Sequence, residues 1–474
     1  MSGLYSTLDA SVSALNAQSV AINTTGNNLA NVNNANYARE VVNFGSLGTV
    51  DTSTGPESMG LTALSVTQDR SAVLDSQVRD ADSQASYYTT QQNVYNQAQA
   101  ALGQTVSSST SSGTASSTSD SGVGSALDDF FNAFQSLAAN PSDSGAQQTV
   151  VQAASILTDR LQSSDANLAQ VQSGADEQVA SDVTTANTLL GEVAGLNTQI
   201  GRLEINDPGA AVDLRDQREG DLEQLAGLMP VTVTEGSNGE DTITAAGSTG
   251  SAVTLVSGST VTGPVTFDGT SVISAGSPAT ALALSGGTIQ GGIDASTGGI
   301  QTLRDSLNAI ANELVTSVNG AYNPTGTGNN FFNSSNTTAG TISLDPTLTA
   351  SNVQSGVSGD PGDNSIALAV ANLAGTTFST SGGDSIDGTF DSYYDGAVTG
   401  FGQTLSGVND QATDTASIQT LVTNQRQSVS GVNLDEEMSN LLMYQRSYQA
   451  SAQVFQTVDS LLDAVVNTLG TVTT

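Results

Sequence analysis

The 474-residue sequence predicts an elongated α+β multidomain protein with paired terminal helices, a rod-like part made of long helices and a small all-β outer domain. Three observations predict this class. Apolar residues recur at helical spacing at both ends, long helical patterns fill most of the interior, and the pattern changes to short strand-like segments at 229–284. A chain that leaves a helical frame, forms a β module and returns should extend along one axis.

Both ends of the chain carry apolar stripes with the alternating three- and four-residue steps of a coiled coil. Only Gln445 and Asp459 interrupt the C-terminal stripe, whereas the N-terminal one is softer because it includes Ser19 and Gly26. Complementary stripes indicate helices that pair with each other and with copies in neighbouring subunits. The residues expected to form this assembly interface are Leu8, Val12, Leu15, Ile22 and Leu29 near the N-terminus, and Leu434, Met438, Leu441, Tyr448, Phe455, Leu462 and Val466 near the C-terminus.

The helical frame between the stripes is predicted from periodic apolar residues bounded by turn residues. An irregular extended segment at 41–66 and a mobile loop rich in Ser, Thr and Gly at 104–125 should interrupt it. The helix at 212–228 carries many charges, which are expected to form a solvated face with local ion pairs. The other expected helices lie at 71–102, from Leu127 to Asn140-Pro141, from Leu168 to Leu203, and at 300–318, 365–373 and 390–427.

The β module is expected to be one small domain of short strands separated by Gly, Ser and Asn turns. The whole pattern divides the chain into five parts. These are an N-terminal helical segment at 1–40 that pairs with the C-terminus, the first part of a helical rod-like domain at 41–228, the small β domain at 229–285, the second part of the helical domain at 286–430, and a C-terminal coiled-coil helix at 431–474.

Composition excludes most catalytic chemistry. The chain has no Cys, His or Trp, and all ten of its basic residues are Arg, so imidazole, thiol and amine chemistry and the usual zinc sites are excluded. The net charge of −36 repels nucleic acid and anionic membrane surfaces. No apolar run is long enough to cross a membrane, and the N-terminus lacks the pattern of a cleaved secretory signal. We therefore expect no nucleic-acid partner, no membrane insertion and no cofactor.

Two acidic motifs have both a functional and a structural interpretation. The Asp/Gly-rich residues 382–388 could form a calcium loop, but a single copy favours a surface turn, and no metal is expected. Asp435, Glu436 and Glu437 could form a docking patch, but acidic residues in the first turn of a helix ordinarily complement its dipole. Two further alternatives remain. An enzyme could use only scattered carboxylates, as glycosidases do, without an aromatic platform. A secreted adhesin could use the Ser/Thr/Gly-rich β domain, but it would need an aromatic-lined pocket that the sequence gives no reason to expect.

Motifs at both ends resemble those of the bacterial flagellar axial proteins, the family of rod, hook and hook-associated proteins. The first lies at 21–33, with the sequence AINTTGNNLANVN, and the second spans 431–463 with its Tyr-Gln pairs at Tyr444 and Tyr448. Segments in the middle favour the hook-associated members: residues 127–131 with Asn140-Pro141, 213–218, 286–292 and 330–332.

The resemblance implies a non-enzymatic structural adaptor that joins the flagellar hook to the filament. Its expected partners are the hook protein, a second hook-filament junction protein, copies of itself in a ring, and a flagellar export chaperone that binds the C-terminal helix. It also implies type III export without a cleaved signal peptide, and therefore an extracellular location in the flagellum. The alternative of another axial protein, such as a hook, rod or flagellin-like subunit, remains open at this point.

Overall fold

The computed structural model describes residues 2–52, 55–102, 122–205, 208–358, 360 and 362–470; the predicted loop at 104–125 lies outside them up to residue 121. The described chain is mostly helical, with small antiparallel sheets. Its helices are α1 (Ser2–Ala30), α2 (Ala72–Ala101), α3 (Val123–Ala139), α4 (Ser144–Leu203), α5 (Val212–Leu228), α6 (Gly287–Asp294), α7 (Gln301–Tyr322), α8 (Ser365–Asn372), α9 (Phe390–Ser430) and α10 (Leu434–Gly470). Its strands are β1 (Glu40–Ser46), β2 (Thr49–Thr52), β3 (Gly55–Ser58), β4 (Leu61–Gln68), β5 (Thr232–Glu235), β6 (Asp241–Ala246), β7 (Ala252–Ser257), β8 (Thr260–Val261), β9 (Thr266–Phe267), β10 (Ile273–Ala275) and β11 (Thr280–Ala281).

The segment at 41–66, expected to be irregular, instead forms two antiparallel strand pairs. β1 pairs with β4, from Glu40 opposite Gln68 to Ser46 opposite Leu61, and β2 pairs with β3. α1 packs against this hairpin so closely that a Cβ atom at Gly60 would lie 2.9 Å from the Ala10 Cα atom. The paired residues are well separated along the chain, so local periodicity could not reveal the ladder.

The larger core lies where α2, α3, the first half of α4, α7, α8 and α9 meet. Its centre is a cluster of aromatic rings with centroids 5.0–5.8 Å apart, a spacing typical of favourable edge-to-face packing. These rings belong to Phe130, Phe134, Tyr322, Phe331 and Phe332, all of them buried. The short aromatic motifs in the middle of the sequence are therefore core residues.

A second core joins the last part of α4 to α5, α6 and the small sheets. The strands form an antiparallel four-stranded sheet in the order β5-β6-β7-β8 and a three-stranded one in the order β11-β10-β9. Ile243, Leu255 and Val256 place the buried face of the first sheet in this core. The sheets thus pack on the end of a 60-residue helix, α4, which also contributes to the larger core.

The helix expected at 300–318 begins much earlier and is continuous from α6 to α7 through a π-helical segment, Ala295–Ile300. Glycines let this helix approach its neighbours closely. A Cβ atom at Gly291 would lie 2.6 Å from the Tyr87 carbonyl oxygen, and one at Gly299 would lie 2.8 Å from the Tyr95 ring. Glycine has low helix propensity, so the helix depends on this tertiary packing and the local pattern did not predict it.

We expect Gly291→Ala to lower the free energy of unfolding by about 1–3 kcal/mol, because its methyl group would overlap the α2 backbone. Gly195→Ala is the matched control: this glycine lies within α4, and no neighbouring atom lies within 4 Å of its added Cβ. It should stabilise the protein by about 0.5–1 kcal/mol through the higher helix propensity of Ala. Urea denaturation of both variants measures the difference; equal effects would contradict the close approach.

Candidate assembly interface

The residues predicted on the N-terminal stripe lie beside the buried face of α1. Leu8, Leu15, Ile22 and Leu29 are half-buried, and Val12 is 40% exposed. The buried residues of the described helix are smaller and more polar: Ser11, Ala17, Ala21, Thr24, Thr25 and Asn28. The larger apolar side chains therefore remain partly accessible at the flank of α1.

The residues predicted on the C-terminal stripe fall into two groups that differ in exposure. Leu441, Phe455 and Leu462 are half-buried, whereas Leu434, Met438, Tyr448 and Val466 are 41–60% exposed. The most enclosed side of α10 also includes Glu437, Tyr444 and Val458, which were not among the predicted interface residues. The Tyr444 ring lies 6.1 Å from the Phe44 ring of β1, measured between centroids.

α10 exposes further large apolar side chains that sequence reasoning did not select. Leu442, Met443, Val454 and Leu461 are each about half exposed. Met443, Val454 and Leu461 lie on the same side of the helix, because the intervals of 11 and 7 residues are close to whole numbers of turns. A helix that is apolar on several sides is suited to contacts with more than one neighbour. These side chains have helical spacing in the sequence, but they lie outside the single stripe on which the interface was predicted.

Asn28 joins the end of α1 to the start of α10 and to β1, so the two helices run antiparallel. Its side chain is 1% exposed. Nδ2 donates to the Glu40 carbonyl oxygen (2.9 Å) and to Glu437 Oε2 (3.1 Å), while Oδ1 accepts from the Glu40 amide (2.9 Å) and the Tyr37 hydroxyl (2.8 Å). A buried amide with all four hydrogen bonds made favours one arrangement of these elements.

Arg39 provides a second link to the acidic start of α10. Its Nε donates to Glu437 Oε1 and its Nη2 to Glu436 Oε1, both at 2.8 Å. Its backbone amide donates to the Ser430 carbonyl oxygen at the end of α9, also at 2.8 Å. Two of the three acidic residues that were expected to complement the helix dipole therefore also hold α10 against the preceding segment.

The charges of α5 form only part of the solvated face that was expected: Asp213 is exposed, and Arg215 makes a local ion pair with Glu204 at 2.7 Å, but other charges are buried. Asp216, Arg218 and Glu219 are buried and pair with residues on other elements. Each partner lies far away in the sequence, so the charge pattern within α5 could not identify it. The pairs are Arg70 with Asp216, Arg79 with Glu219, Arg426 with Glu223 and Arg218 with Asp241, the last at 2.9 Å between Nε and Oδ2.

A cleft of about 470 Å³ opens beside this cluster, between α2, α5 and the edge of the β5–β6 pair. Its charged walls combine arginines and carboxylates that largely neutralise one another: Arg70, Arg79, Arg215 and Arg218 with Asp75, Glu219, Glu235 and Asp241. The described lining residues include no aromatic side chain. This arrangement provides no stacking surface of the kind that carbohydrate binding would need.

Two carboxylates of the loop at 382–388 accept hydrogen bonds from backbone amides that lie just before it. Asp384 Oδ2 accepts from the Ser379 amide and Asp387 Oδ1 from the Thr380 amide, both at 2.8 Å. Within the described part of the chain, no group of three or more acidic, His or Cys side chains is placed to hold a metal ion. In the same residues, no helix is long and apolar enough to cross a membrane.

Comparisons with known proteins find similarity to flagellar proteins. The family model described as the flagellar hook-associated protein FlgK helical domain matches residues 109–332. Flagellar hook-associated protein 1 of Bacillus subtilis is 25% identical over an alignment that covers 99% of each chain, and that of Escherichia coli is 25% identical over 98% of this chain and all of the relative. Over nearly its whole length the chain is similar to flagellar hook-associated protein 1.

Two further family models match the ends of the chain. The model of flagella basal body rod proteins matches residues 8–37, and that of the FlgEFG rod protein C-terminal region matches 423–469. These ranges include nearly all of the α1–α10 pair and Asn28. The flagellar hook junction protein FlgK of Burkholderia pseudomallei has a similar fold, with a TM-score of 0.62 over 75% of this chain and all of that chain, at 14% identity.

Several carboxyl groups near Asn28 and α5 have raised pKa values. Burial, together with the nearby carboxylates Asp213 and Asp216, raises the pKa of Glu40 to about 7. Burial also raises the pKa of Asp216 and of Asp75, although Arg70 lies beside both. Glu40 is 5% exposed, and its Oε1 atom has no hydrogen-bond partner among the described residues.

We expect Glu40→Gln to stabilise the protein at neutral pH but not at pH 4. The pKa of Glu40 is higher in the folded state, so between about pH 4.5 and 7 the unfolded chain loses this proton while the folded chain keeps it. Stability therefore falls as the pH rises through this window, by up to about 3 kcal/mol, and stays at that lower level above it. Gln has no ionisable side chain, so the variant does not lose this stability.

Denaturation of both proteins at pH 4, 6 and 8 measures the effect. Glu177→Gln, at an exposed position on α4, is the control and should change stability by less than about 0.5 kcal/mol throughout. A Glu40→Gln difference that does not vary with pH would contradict the buried, ionisable state of Glu40.

Proposed function

We propose that this protein is a structural adaptor that joins the flagellar hook to the filament. The observation that carries the proposal is the α1–α10 pair, which combines a buried polar junction with large apolar side chains left exposed along its length. Such side chains on a soluble protein indicate a surface that another chain covers. Similarity to flagellar hook-associated protein 1 over nearly the whole chain supports the location of that contact.

We infer that the contact surface consists of the stripe residues. On α1 these are Leu8, Val12, Leu15, Ile22 and Leu29; on α10 they are Leu434, Met438, Leu441, Tyr448, Phe455, Leu462 and Val466. The half-buried members stabilise the α1–α10 pair as a coiled-coil-like segment, and the exposed members contact neighbouring subunits. Heterologous contacts of this kind, repeated around an axis, close into a ring.

The proposed partners are copies of this chain, the hook protein, a second hook-filament junction protein and an export chaperone. An apolar helix face is an aggregation hazard before assembly, which supports a chaperone that covers α10 in the cell. The protein acts outside the cell in the flagellum after export without a cleaved signal peptide. Its function is non-enzymatic: we assign no catalytic residue, cofactor or metal.

The two cores support a division of the chain into parts with different roles. The segments 1–40 and 431–474 form the assembly part, 41–228 and 286–430 form the helical rod-like part, and 229–285 form a small β domain. The β domain shares its core with α4, α5 and α6, which makes it a rigid extension of the helical part.

The proposal is tested with Tyr448→Asp in cells that lack the native protein. Tyr448 is 41% exposed, so the isolated subunit should fold normally. Contact with a neighbour would bury an unpaired carboxylate at a cost of about 3–5 kcal/mol, and incorporation into flagella should be lost. Tyr448→Phe keeps the ring and should assemble normally.

The same variants test the chaperone. If one face of α10 serves both partners in succession, Tyr448→Asp should weaken chaperone binding as well as incorporation. Normal chaperone affinity with lost incorporation would show that the two surfaces differ. Normal incorporation of Tyr448→Asp would contradict the proposed interface.

A further inference from the structure

Charge is distributed very unevenly along the terminal helices. α1 and α10 together contain one cationic side chain, Arg446, and it is exposed. Most of the other arginines take part in ion pairs within the chain, including Arg39, which holds the acidic start of α10. Arg446 has no hydrogen-bond or ion-pair partner among residues 2–52, 55–102, 122–205, 208–358, 360 and 362–470.

Arg446 points away from the hairpin that packs on α10. Tyr444, which faces the Phe44 ring, lies two residues earlier, and two residues correspond to about 200° of rotation around an α-helix. The exposed neighbours of Arg446 include Leu442 and Met443, which are 54% and 52% exposed. A guanidinium surrounded by exposed apolar side chains is suited to a contact that needs both burial and charge pairing.

Asp459 carries the opposite charge on the same helix. It interrupts the apolar stripe that includes Tyr448 and Phe455, and it is exposed without a hydrogen-bond partner in the described chain. A neighbouring subunit that covers this stripe would remove water from Asp459. A buried carboxylate needs a cationic or hydrogen-bonding partner, and an uncompensated one would oppose assembly strongly.

We propose that Arg446 of one copy pairs with Asp459 of the next copy and sets the axial register of the assembly. This rests on the proposed function, and it adds the contact that fixes how copies are staggered. The two residues are 13 positions apart on one helix, or about 20 Å along its axis, so they cannot pair within a chain. They also lie on different sides of α10, as a heterologous contact requires. Apolar stripes alone allow sliding, whereas one charged pair specifies a register.

The test is a charge exchange in cells that lack the native protein. Arg446→Asp and Asp459→Arg should each reduce incorporation into isolated flagella by about tenfold or more, while secretion continues and the purified monomer melts at the same temperature. The double variant, with the charges exchanged, should recover most of the incorporation. Normal assembly of either single variant would overturn the pairing.

A cysteine pair tests proximity independently, because the native chain has no Cys. Arg446→Cys combined with Asp459→Cys should form disulfide-linked dimers and higher species in flagella, since a disulfide requires Cα atoms within about 7 Å. Arg446→Cys combined with Ser460→Cys, one position further around the helix, should link much less.

The outcomes separate this inference from the proposed function. One outcome would overturn the pairing between copies: the single and the double charge variants all fail to enter flagella, and the cysteine pair forms no disulfide. These residues would then bind another flagellar component. Absence of the native protein from flagella would overturn the proposed function and the pairing with it.

Discussion

Replacing Asn28 by Leu should lower the free energy of unfolding by about 3–5 kcal/mol and release α1 from α10. Leu has nearly the same size, so the loss comes from polar groups left without partners. The Glu40 amide and carbonyl, the Tyr37 hydroxyl and Glu437 Oε2 would each lose a hydrogen bond in a buried site. Such groups carry the full cost of their lost hydration.

Thermal unfolding and amide hydrogen exchange measure the two parts of this prediction. Exchange should accelerate most in the second half of α1, around Ala21 and Thr25, because that segment loses its anchor. Asn27→Leu is the matched control: Asn27 is exposed on the same turn, and its side chain takes part in no hydrogen bond that involves this junction. If both variants are equally stable, Asn28 does not hold the helix pair together.

Arg218→Met should destabilise the protein by a similar amount, about 3–5 kcal/mol, and should disturb the contact between α4, α5 and β6. Arg218 is 4% exposed. Its Nε pairs with Asp241 Oδ2 at 2.9 Å, and its Nη1 donates to Asn197 Oδ1 at 2.8 Å and to the Gly239 carbonyl oxygen at 2.7 Å. Met fills the space of the side-chain stem but leaves Asp241 buried and unpaired.

The loss of stability caused by Arg218→Met should be smaller at low pH. Burial raises the pKa of Asp241 to about 6 even with Arg218 in place, and removing that cation raises the pKa further. At low pH the unpaired carboxylate of Asp241 is therefore protonated and no longer carries a buried charge. Arg202→Met is the control, because Arg202 lies exposed in the last turn of α4. Denaturant unfolding at pH 5 and 8 compares them; a loss for Arg218→Met below about 1 kcal/mol at pH 8 would contradict its role.

Helix positions could be predicted from the sequence because the patterns that indicate them are local. The sequence prediction for the helix at 212–228 coincides with α5. The one at 71–102 differs from α2 by one residue at each end, and the one at 365–373 differs from α8 by one residue at its C-terminal end. Turn residues such as Asn140-Pro141 end a helix by steric effects that act within a few residues. Most of the short strands at 230–284 were predicted for the same reason, but β8, β10 and the pairing order were not.

Local sequence patterns do not predict the conformation of a segment that a distant part of the chain decides. The helix at 287–300 is rich in Gly and is held by contacts with α2 and α4, and the β1–β4 ladder depends on pairing across the hairpin. The inward side of α1 was missed because its buried residues are small. Selecting the largest apolar residues identified the flank that remains partly accessible.

By itself the sequence determined the class of this protein: helices at both ends, a helical frame with a β insertion, an acidic surface and side chains unsuited to most catalysis. It also contained the terminal motifs that indicate the flagellar axial family. Only the tertiary structure decided that Asn28 and Arg39 hold the two ends together and that several charges of α5 are buried in ion pairs. Hydrogen bonds and ion pairs act over about 3–4 Å, so their partners are chosen by how the chain folds in space and not by spacing along it.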